Sequence, residues 1–430
     1  MNDRDGATPA SWSDPALSRC HGTDRRATYS FDEQRCGVCY DDHFTRIAAV
    51  CAGDSPFGRV KVDHFDLVRQ GEGMGWVLHV DMDQFIAAVE IQRHPELADL
   101  PVVVGGRGDP SERGVVSTAS YAAREFGVGS GMPLRVAKRK CPDAVFLPVD
   151  APAYEAVSIT VMETLRSLSW GGVPVLVQVL GWDEAFVGPG PQHGDLEDPE
   201  DMAALVMESV LAATGLHCSV GIGDNTLRAK NATDFGKPRG TYTLTAANWL
   251  EVMGDRSTQA LWGIGNKTAA KLAALGLETV TQLAASDPAM LADALGPTMG
   301  PYYRGLAVGS SARPIDPSPY VPQAHGRETT FQTDLEDWSA IADEVRALTT
   351  RVLADIDAEG RPAARVGLKI RFAPFITVTR SLTLPAPTND PQALSDAAVS
   401  LLDRLDPQQR ARPVRLLGVR LEMTPPGESA

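Results

Sequence analysis

A multidomain α/β fold is predicted for this 430-residue chain by three observations. Its length exceeds what one ordinary hydrophobic core serves, so two to four compact units are expected. From Trp76 to about residue 244, short apolar strands alternate with helical patterns, and a purely helical stretch follows. Beyond a Pro- and Ser-rich segment, "SSARPIDPSPYVPQAH", a second α/β pattern runs to the C-terminal region.

Taken in order, residues 1–73 mix Asp, Arg, Gly and Ser without periodicity and are expected to be a flexible or unassigned extension. Met74 opens ordered sequence abruptly, so initiation at Met74 is one expectation for the natural chain. "CGVC", Cys36 to Cys39, has Cys20, His21 and His43 nearby. A structural zinc site usually takes two such pairs and only one is present, so free thiols are expected.

"WVLHV" then reads as a buried strand, "QFIAAVEIQRHPEL" as a helix and "PVVVGG" as a strand closed by glycines. "GVVSTASYAAREFGV" passes from strand to helix and stops at Gly127. "PAYEAVSITVMETLRSLS" is an amphipathic helix, and "VLVQVLGWDEAFVG" two strands about a turn at Gly181 and Trp182. A helix over about 200–214 and the strand "HCSVGIG" follow. Residues 245–311 carry short helices around a Gly-Ile-Gly turn, and 312–324 read as a linker. Strands at "RETTFQT", "ARVGLKIRF", "ITVTRSLTL" and "VRLLGVRLEM" complete the chain.

No apolar run approaches the ~20 residues that span a bilayer, and the first residues lack the apolar core of a secretion signal. A cytoplasmic protein is expected. The net charge of -15 weighs against a nucleic-acid partner unless basic residues gather on one surface.

Asp81 ends one strand, while Asp183 and Glu184 sit at a hairpin turn; strand ends of one sheet can bring all three together. Such oxygen ligands suit Mg²⁺, and two ions would assist an in-line phosphoryl transfer. "STASYAAREFG" sets Thr118, Tyr121 and Arg124 three apart around a helix start, a cradle for a triphosphate, with Lys237 in "FGKPRG" as a further point charge. In "LWGIGNKTAAKLAALG", Gly263 and Gly265 permit close approach to a phosphate and Lys267 adds charge, the helix-hairpin-helix pattern that holds nucleic-acid backbone.

The last unit answers the charge objection. Val366, Leu368, Ile370 and Phe372 alternate with Arg365, Lys369 and Arg371, and no acid occurs from Arg361 to Arg380. Thr377, Thr379, Ser381 and Thr383 share one face of the next strand, giving an apolar back and a basic front able to lie along a phosphate backbone.

"HVDMDQF", "STASYAAREFGV", "GWDEAFV", "SVGIGDNTLRAKNATDFGKPRG", "LWGIGNKTAAKL" and "RETTFQTDL" occur in an order that resembles the Y-family translesion DNA polymerases, nearest the DinB or DNA polymerase IV branch. The resemblance runs from about Trp76 to Met423. It implies a right-hand polymerase, with a mixed-sheet palm (74–84 and 150–244), small fingers (85–149), a helical thumb (245–311), a linker (312–324) and an α/β little finger (325–424). It implies a metal-binding triad of Asp81, Asp183 and Glu184, with the carbonyl of Met82 as a further ligand for two Mg²⁺ ions, which Mn²⁺ can replace. Thr118, Tyr121, Arg124 and Lys237 match its triphosphate contacts, and Gly131 falls where small residues cover the nascent base pair. Arg327 and Thr329 of "RETTFQT" count among the DNA contacts.

Primer-template DNA and dNTPs are then the expected partners of a monomer in the cytoplasm, at the nucleoid. There are departures. Gly181 stands where the family usually has Ser, and Trp182 beside it is bulky. No clear sliding-clamp peptide ends the chain; "QTDLEDW" resembles one loosely but lies in a strand that the fold needs.

The largest departure is Ile86, at the position of the family's aromatic steric gate against a 2'-hydroxyl. Isoleucine is stiff but shorter, and an apolar pocket alone rejects an added hydroxyl only about a hundredfold. Ribonucleotides are therefore expected as substrates, unless Ile86 moves inward or Phe85 shares the role. Rival readings fit less well. A non-catalytic accessory relative would lose the carboxylates, and a nucleotide cyclase would need neither the hairpin nor the basic sheet. A simple DNA-binding module leaves Tyr121, Arg124 and Lys237 without purpose.

Overall fold

The computed structural model describes residues 75–191, 198–311 and 313–427. The extension 1–73, its CGVC pair and Met74 lie outside the described residues.

Strand β1 (Val77–Met82) leads into helix α1 (Phe85–Arg93). The fingers region follows as β2 (Val102–Val104), β3 (Thr118–Ala119), α2 (Tyr121–Glu125), α3 (Leu134–Lys140) and β4 (Val145–Leu147). Next come α4 (Ala151–Arg166), the short ribbon β5 (Ser169–Trp170) and β6 (Val173–Pro174), then β7 (Leu176–Val179), β8 (Glu184–Gly188), α5 (Pro199–Thr214), β9 (Cys218–Gly223), α6 (Thr226–Gly236) and β10 (Thr241–Leu244). The palm sheet takes the order β10-β9-β1-β8-β7, with β1 antiparallel to both neighbours.

The two faces of β1 divide the work. Leu78, Val80 and Met82 point into a core shared with α4 and α5, while His79 and Asp81 point the other way. On that second face lies α6, and glycine is what lets it come so close. A Cβ on Gly221 would sit 2.1 Å from the Ala229 carbonyl oxygen, and one on Gly223 2.4 Å from the Ala229 nitrogen. The glycines of "SVGIG" therefore seat α6 directly on the strand and bring its Lys230, and Lys237 just past its end, to the carboxylates.

The thumb is helical: α7 (Trp249–Met253), α8 (Asn266–Ala274), α9 (Val280–Ala285), α10 (Pro288–Leu295) and α11 (Met299–Ala307). Trp249 and Leu272 anchor its core, and the Trp249 indole donates to the Ala307 carbonyl at 2.8 Å. The segment read as a linker carries no helix or strand from 313 to 323, yet it is pinned to the palm. Ile315 sits where a Cβ on Gly188 would fall 2.3 Å from its Cδ1, and Asp316 N–H donates to the Gln178 amide oxygen at 3.0 Å.

The C-terminal unit contains β11 (Ala324–Leu335), α12 (Trp338–Glu359), β12 (Ala363–Phe372), β13 (Ile376–Thr388), α13 (Pro391–Ser400), α14 (Pro407–Arg410) and β14 (Val414–Met423). Its sheet runs β11-β14-β12-β13. The alternation in β12 holds: Val366, Leu368, Ile370 and Phe372 are buried against α12 and α13. Every strand expected here exists; the first three run longer than their motifs because the ladder extends past the apolar stretch, and β14 matches its motif residue for residue.

Candidate active site and nucleic-acid interface

Asp81 and Glu184 are direct cross-strand partners of β1 and β8, so the pleat puts both carboxylates on the α6 side of the sheet. With His79 they offer ligand atoms all within 4.8 Å of one another. Asp183 lies outside this cluster. It sits in the turn before β8, where its backbone carbonyl accepts from the Met82 N–H at 2.9 Å. Trp182 is accommodated without disturbing the hairpin, packing on the palm core with its ring 6.4 Å from that of Tyr154.

Two cations from α6 and its C-terminal end hold the acids. Lys237 Nζ is 2.7 Å from Asp81 Oδ1; Lys230 pairs with Glu184 and lies 3.8 Å from Asp81. Burial opposes the charge of Lys237, but Asp81 and further acids overrule it and the ammonium is held above its usual range. Glu184 is likewise buried, yet His79 and Lys230 bring its carboxyl down to about 2. His79 is fully buried behind it, Nδ1 2.8 Å from Thr233 Oγ1; burial and then Lys230 push its imidazole below the ordinary range. Lys230 and His79 escaped the sequence reading because nothing local marks them. The spacing of α6 over the glycine-bearing strand is the signal.

Asp83 also escaped it. Only 4% exposed, its carboxylate accepts from the Tyr121 phenol at 2.8 Å, the Ser219 hydroxyl at 2.9 Å and the Arg239 N–H at 2.8 Å. Tyr121 is thus tied to the palm. Burial, then Asp83, raises its phenol pKa, and Arg124 stacks 4.9 Å from its ring while donating through Nε to the Ala119 carbonyl. Thr118 corrects the expectation of one helical face: it lies in β3 opposite Val104, because Ser120 caps α2 and the helix starts only at Tyr121. Gly131 is exposed at a φ of +80°, which favours glycine. Met82 and Phe85 are core residues, 2% and 3% exposed, and Ile86 is half-buried against the palm core.

In the thumb a single 3-10 turn (Thr258–Ala260) precedes the Gly-Ile-Gly bend, so the first helix of the motif is one turn long. Gly263 adopts φ +102°, Ile264 is buried as the anchor, and Gly265 starts α8 with open space where a Cβ would stand. Lys267 is exposed in the first turn of α8.

The basic front of the C-terminal sheet exists, with two corrections. Cross-strand rows align Arg371 with Thr377, Lys369 with Thr379 and Arg365 with Thr383. Other strands add acids, however: Glu328 bonds Lys369 at 2.9 and 3.1 Å, lying where a Cβ on Gly418 would meet its Cγ at 2.7 Å, and Glu422 lies 3.6 Å from Arg365. An acid-free segment therefore did not make an acid-free face. Arg327 and Thr329 pair with Val419 and Leu417, so they share the helix side of the sheet, where Asp355 and Arg351 of α12 engage them.

Residues 80–234 match the impB/mucB/samB family model, and residues 322–429 that family's C-terminal domain. The chain is 47% identical over 349 residues to "DNA polymerase IV 2" of Mycobacterium tuberculosis, covering 81% of this chain and 98% of the relative. It is 36% identical over 346 residues to "DNA polymerase IV" of Dehalococcoides mccartyi, covering 80% and 85%. A Y-family polymerase chimera of Dbh and Dpo4 superposes with a TM-score of 0.72 at 23% identity, and an insertion ternary complex of Dbh DNA polymerase with 0.56 at 23%; each comparison covers 81% of this chain and 98% of the other.

The structural neighbours define a multidomain right-hand fold, and the curated relatives and family model define a DNA-directed DNA polymerase. The chain belongs to the DinB, or DNA polymerase IV, branch of the Y-family translesion DNA polymerases. No helix among the described residues is long and apolar enough to cross a membrane.

Proposed function

We propose that the chain extends a primer 3'-hydroxyl on a DNA template by two-ion phosphoryl transfer, with Mg²⁺ as the natural ion, Mn²⁺ as a substitute, and weak selection against ribonucleotides. The observation that carries the chemistry is the cross-strand pair Asp81 and Glu184 at the joint of palm and fingers, with Lys237 against Asp81, Lys230 against Glu184 and His79 behind it. Hard carboxylate oxygens fit a divalent ion, which would take the place of the lysines now paired with them. When bound, such ions stabilise charge on the attacking and leaving oxygens. Asp183, adjacent to Glu184 in the turn before β8, would complete the ligand set.

Lys237, which holds Asp81 in this structure, would be free to pair with the incoming triphosphate if an ion occupied the carboxylates. Tyr121, fixed by Asp83, and Arg124, stacked on it, present the fingers' side of the same phosphates. Thr118 and Gly131 flank the nucleotide from β3 and the following loop. The front of the C-terminal sheet (Arg365, Lys369, Arg371, Thr377, Thr379) and the thumb bend (Gly263, Gly265, Lys267) hold the duplex backbone. The domain limits are those given above for palm, fingers, thumb, linker and little finger.

Ile86 supports the open sugar gate. Phe85 is enclosed in the palm core, which argues against a share in sugar selection, while Ile86 is half-buried against that core. Single-nucleotide primer extension comparing each dNTP with its matching rNTP tests both parts. Efficient rNTP insertion is expected, and Ile86→Phe should restore exclusion by tenfold or more. Extension with dNTPs alone removes the gate reading, and undiminished extension by Asp183→Ala removes the two-ion mechanism.

A further inference from the structure

We propose that Arg113 is a positioning residue, clasping the fingers to β11 of the little finger so that the basic front is held at a fixed attitude to the active-site carboxylates. Arg113 lies in the loop between β2 and β3. Its N–H donates to the Gln332 amide oxygen at 2.7 Å, and the Gln332 amide nitrogen returns a bond to the Arg113 carbonyl at 3.1 Å. The guanidinium donates to the Phe331 carbonyl at 3.0 Å and forms an ion pair with Asp334.

The sheet is built to offer these groups. The pairing of β11 with β14 breaks between Thr330 and Leu335, so the stretch holding Phe331, Gln332 and Asp334 leaves the regular ladder where it meets the fingers. Thr330 marks the end of the row containing Leu416, Arg371 and Thr377, which joins the clasp to the basic front. Both charged partners are about three-quarters shielded, at 26% and 23% side-chain exposure, so the pair is better insulated than a surface bridge. Burial, then Arg113, push the Arg415 guanidinium below its ordinary range, with Asp334 opposing, so Arg113 enters a cationic neighbourhood that its fitted acceptor set offsets.

The proposal rests on reading the front as the DNA surface, which Arg371→Ala tests separately: unchanged DNA affinity there fails that reading and not the clasp. The clasp is tested with the full chain, by fluorescence anisotropy of a primer-template duplex and by single-turnover insertion at saturating DNA. Arg113→Ala and Asp334→Asn should each weaken DNA binding about threefold to tenfold, the double variant no more than the worse single one, with the insertion rate within about twofold. Asp334→Asn is decisive in sign. Removing a negative charge beside a phosphate-binding face should tighten binding if Arg113 merely touches DNA, and tighter binding overturns the proposal. Additive losses also overturn it. Gln332→Ala changes no charge and should weaken binding in the same direction; unchanged affinity in that variant counts against the clasp even if an arginine variant folds poorly.

Discussion

Asp83→Ala tests the joint between palm and fingers. The carboxylate accepts three hydrogen bonds from three different segments: the fingers helix, strand β9 and the turn after α6. A bond to an ionised acceptor contributes ~1.5 kcal/mol or more, so three contribute about 5 kcal/mol. Releasing a buried charge returns part of that, leaving a net loss of about 3 kcal/mol. Thermal melting should show the loss, and hydrogen exchange should place it, because the Arg239 amide is itself one of the donors. Freed from Asp83, Tyr121 no longer holds one orientation, so KM for dNTP should rise several-fold. Asp83→Asn should fall between, since one of its arms is a donor facing donors. An Asp83→Ala protein with unchanged melting, unchanged Arg239 exchange and unchanged KM would refute the reasoning.

Three further outcomes are expected. Arg371→Ala should make the logarithmic salt dependence of DNA binding shallower by about 0.9, measured by anisotropy across a salt series. Glu328→Gln should strengthen DNA binding, because it releases Lys369 from its acceptor; weaker binding would mean that Glu328 orients Lys369 productively. Glu184 is ordinarily near 4.5 and is held at about 2, so its contribution to stability is complete above pH 4.5 and is lost as pH falls towards 2. Lys230→Met raises the folded value, so in metal-free buffer acid destabilisation should begin at higher pH, as read from melting midpoints.

The strands of the C-terminal sheet were legible because alternation is a local property: Val366 to Phe372 declare their buried face within seven residues. Asp81 and Glu184 were legible as strand-end acids, and the antiparallel register makes them partners. Lys230, His79 and Asp83 were not, since each acquires its role from elements distant in sequence. The fine register of the fingers was also hidden: β3 has two residues and α2 five, too short for periodicity to distinguish. The acids on the basic front came from β11 and β14, strands that a one-segment charge count does not include.

The seat of Ile315 on Gly188 shortens the leash of the little finger. With Ile315 and Asp316 fixed to the palm, only residues 317–323 remain between that anchor and Ala324, and seven residues fully extended span roughly 25 Å. A domain on so short a tether explores a small volume, so after letting go of DNA it meets the same duplex again at high effective concentration. Lengthening this stretch, or replacing Ile315 with Gly, would enlarge that volume without altering a single DNA contact, and the polymerase would leave its template sooner.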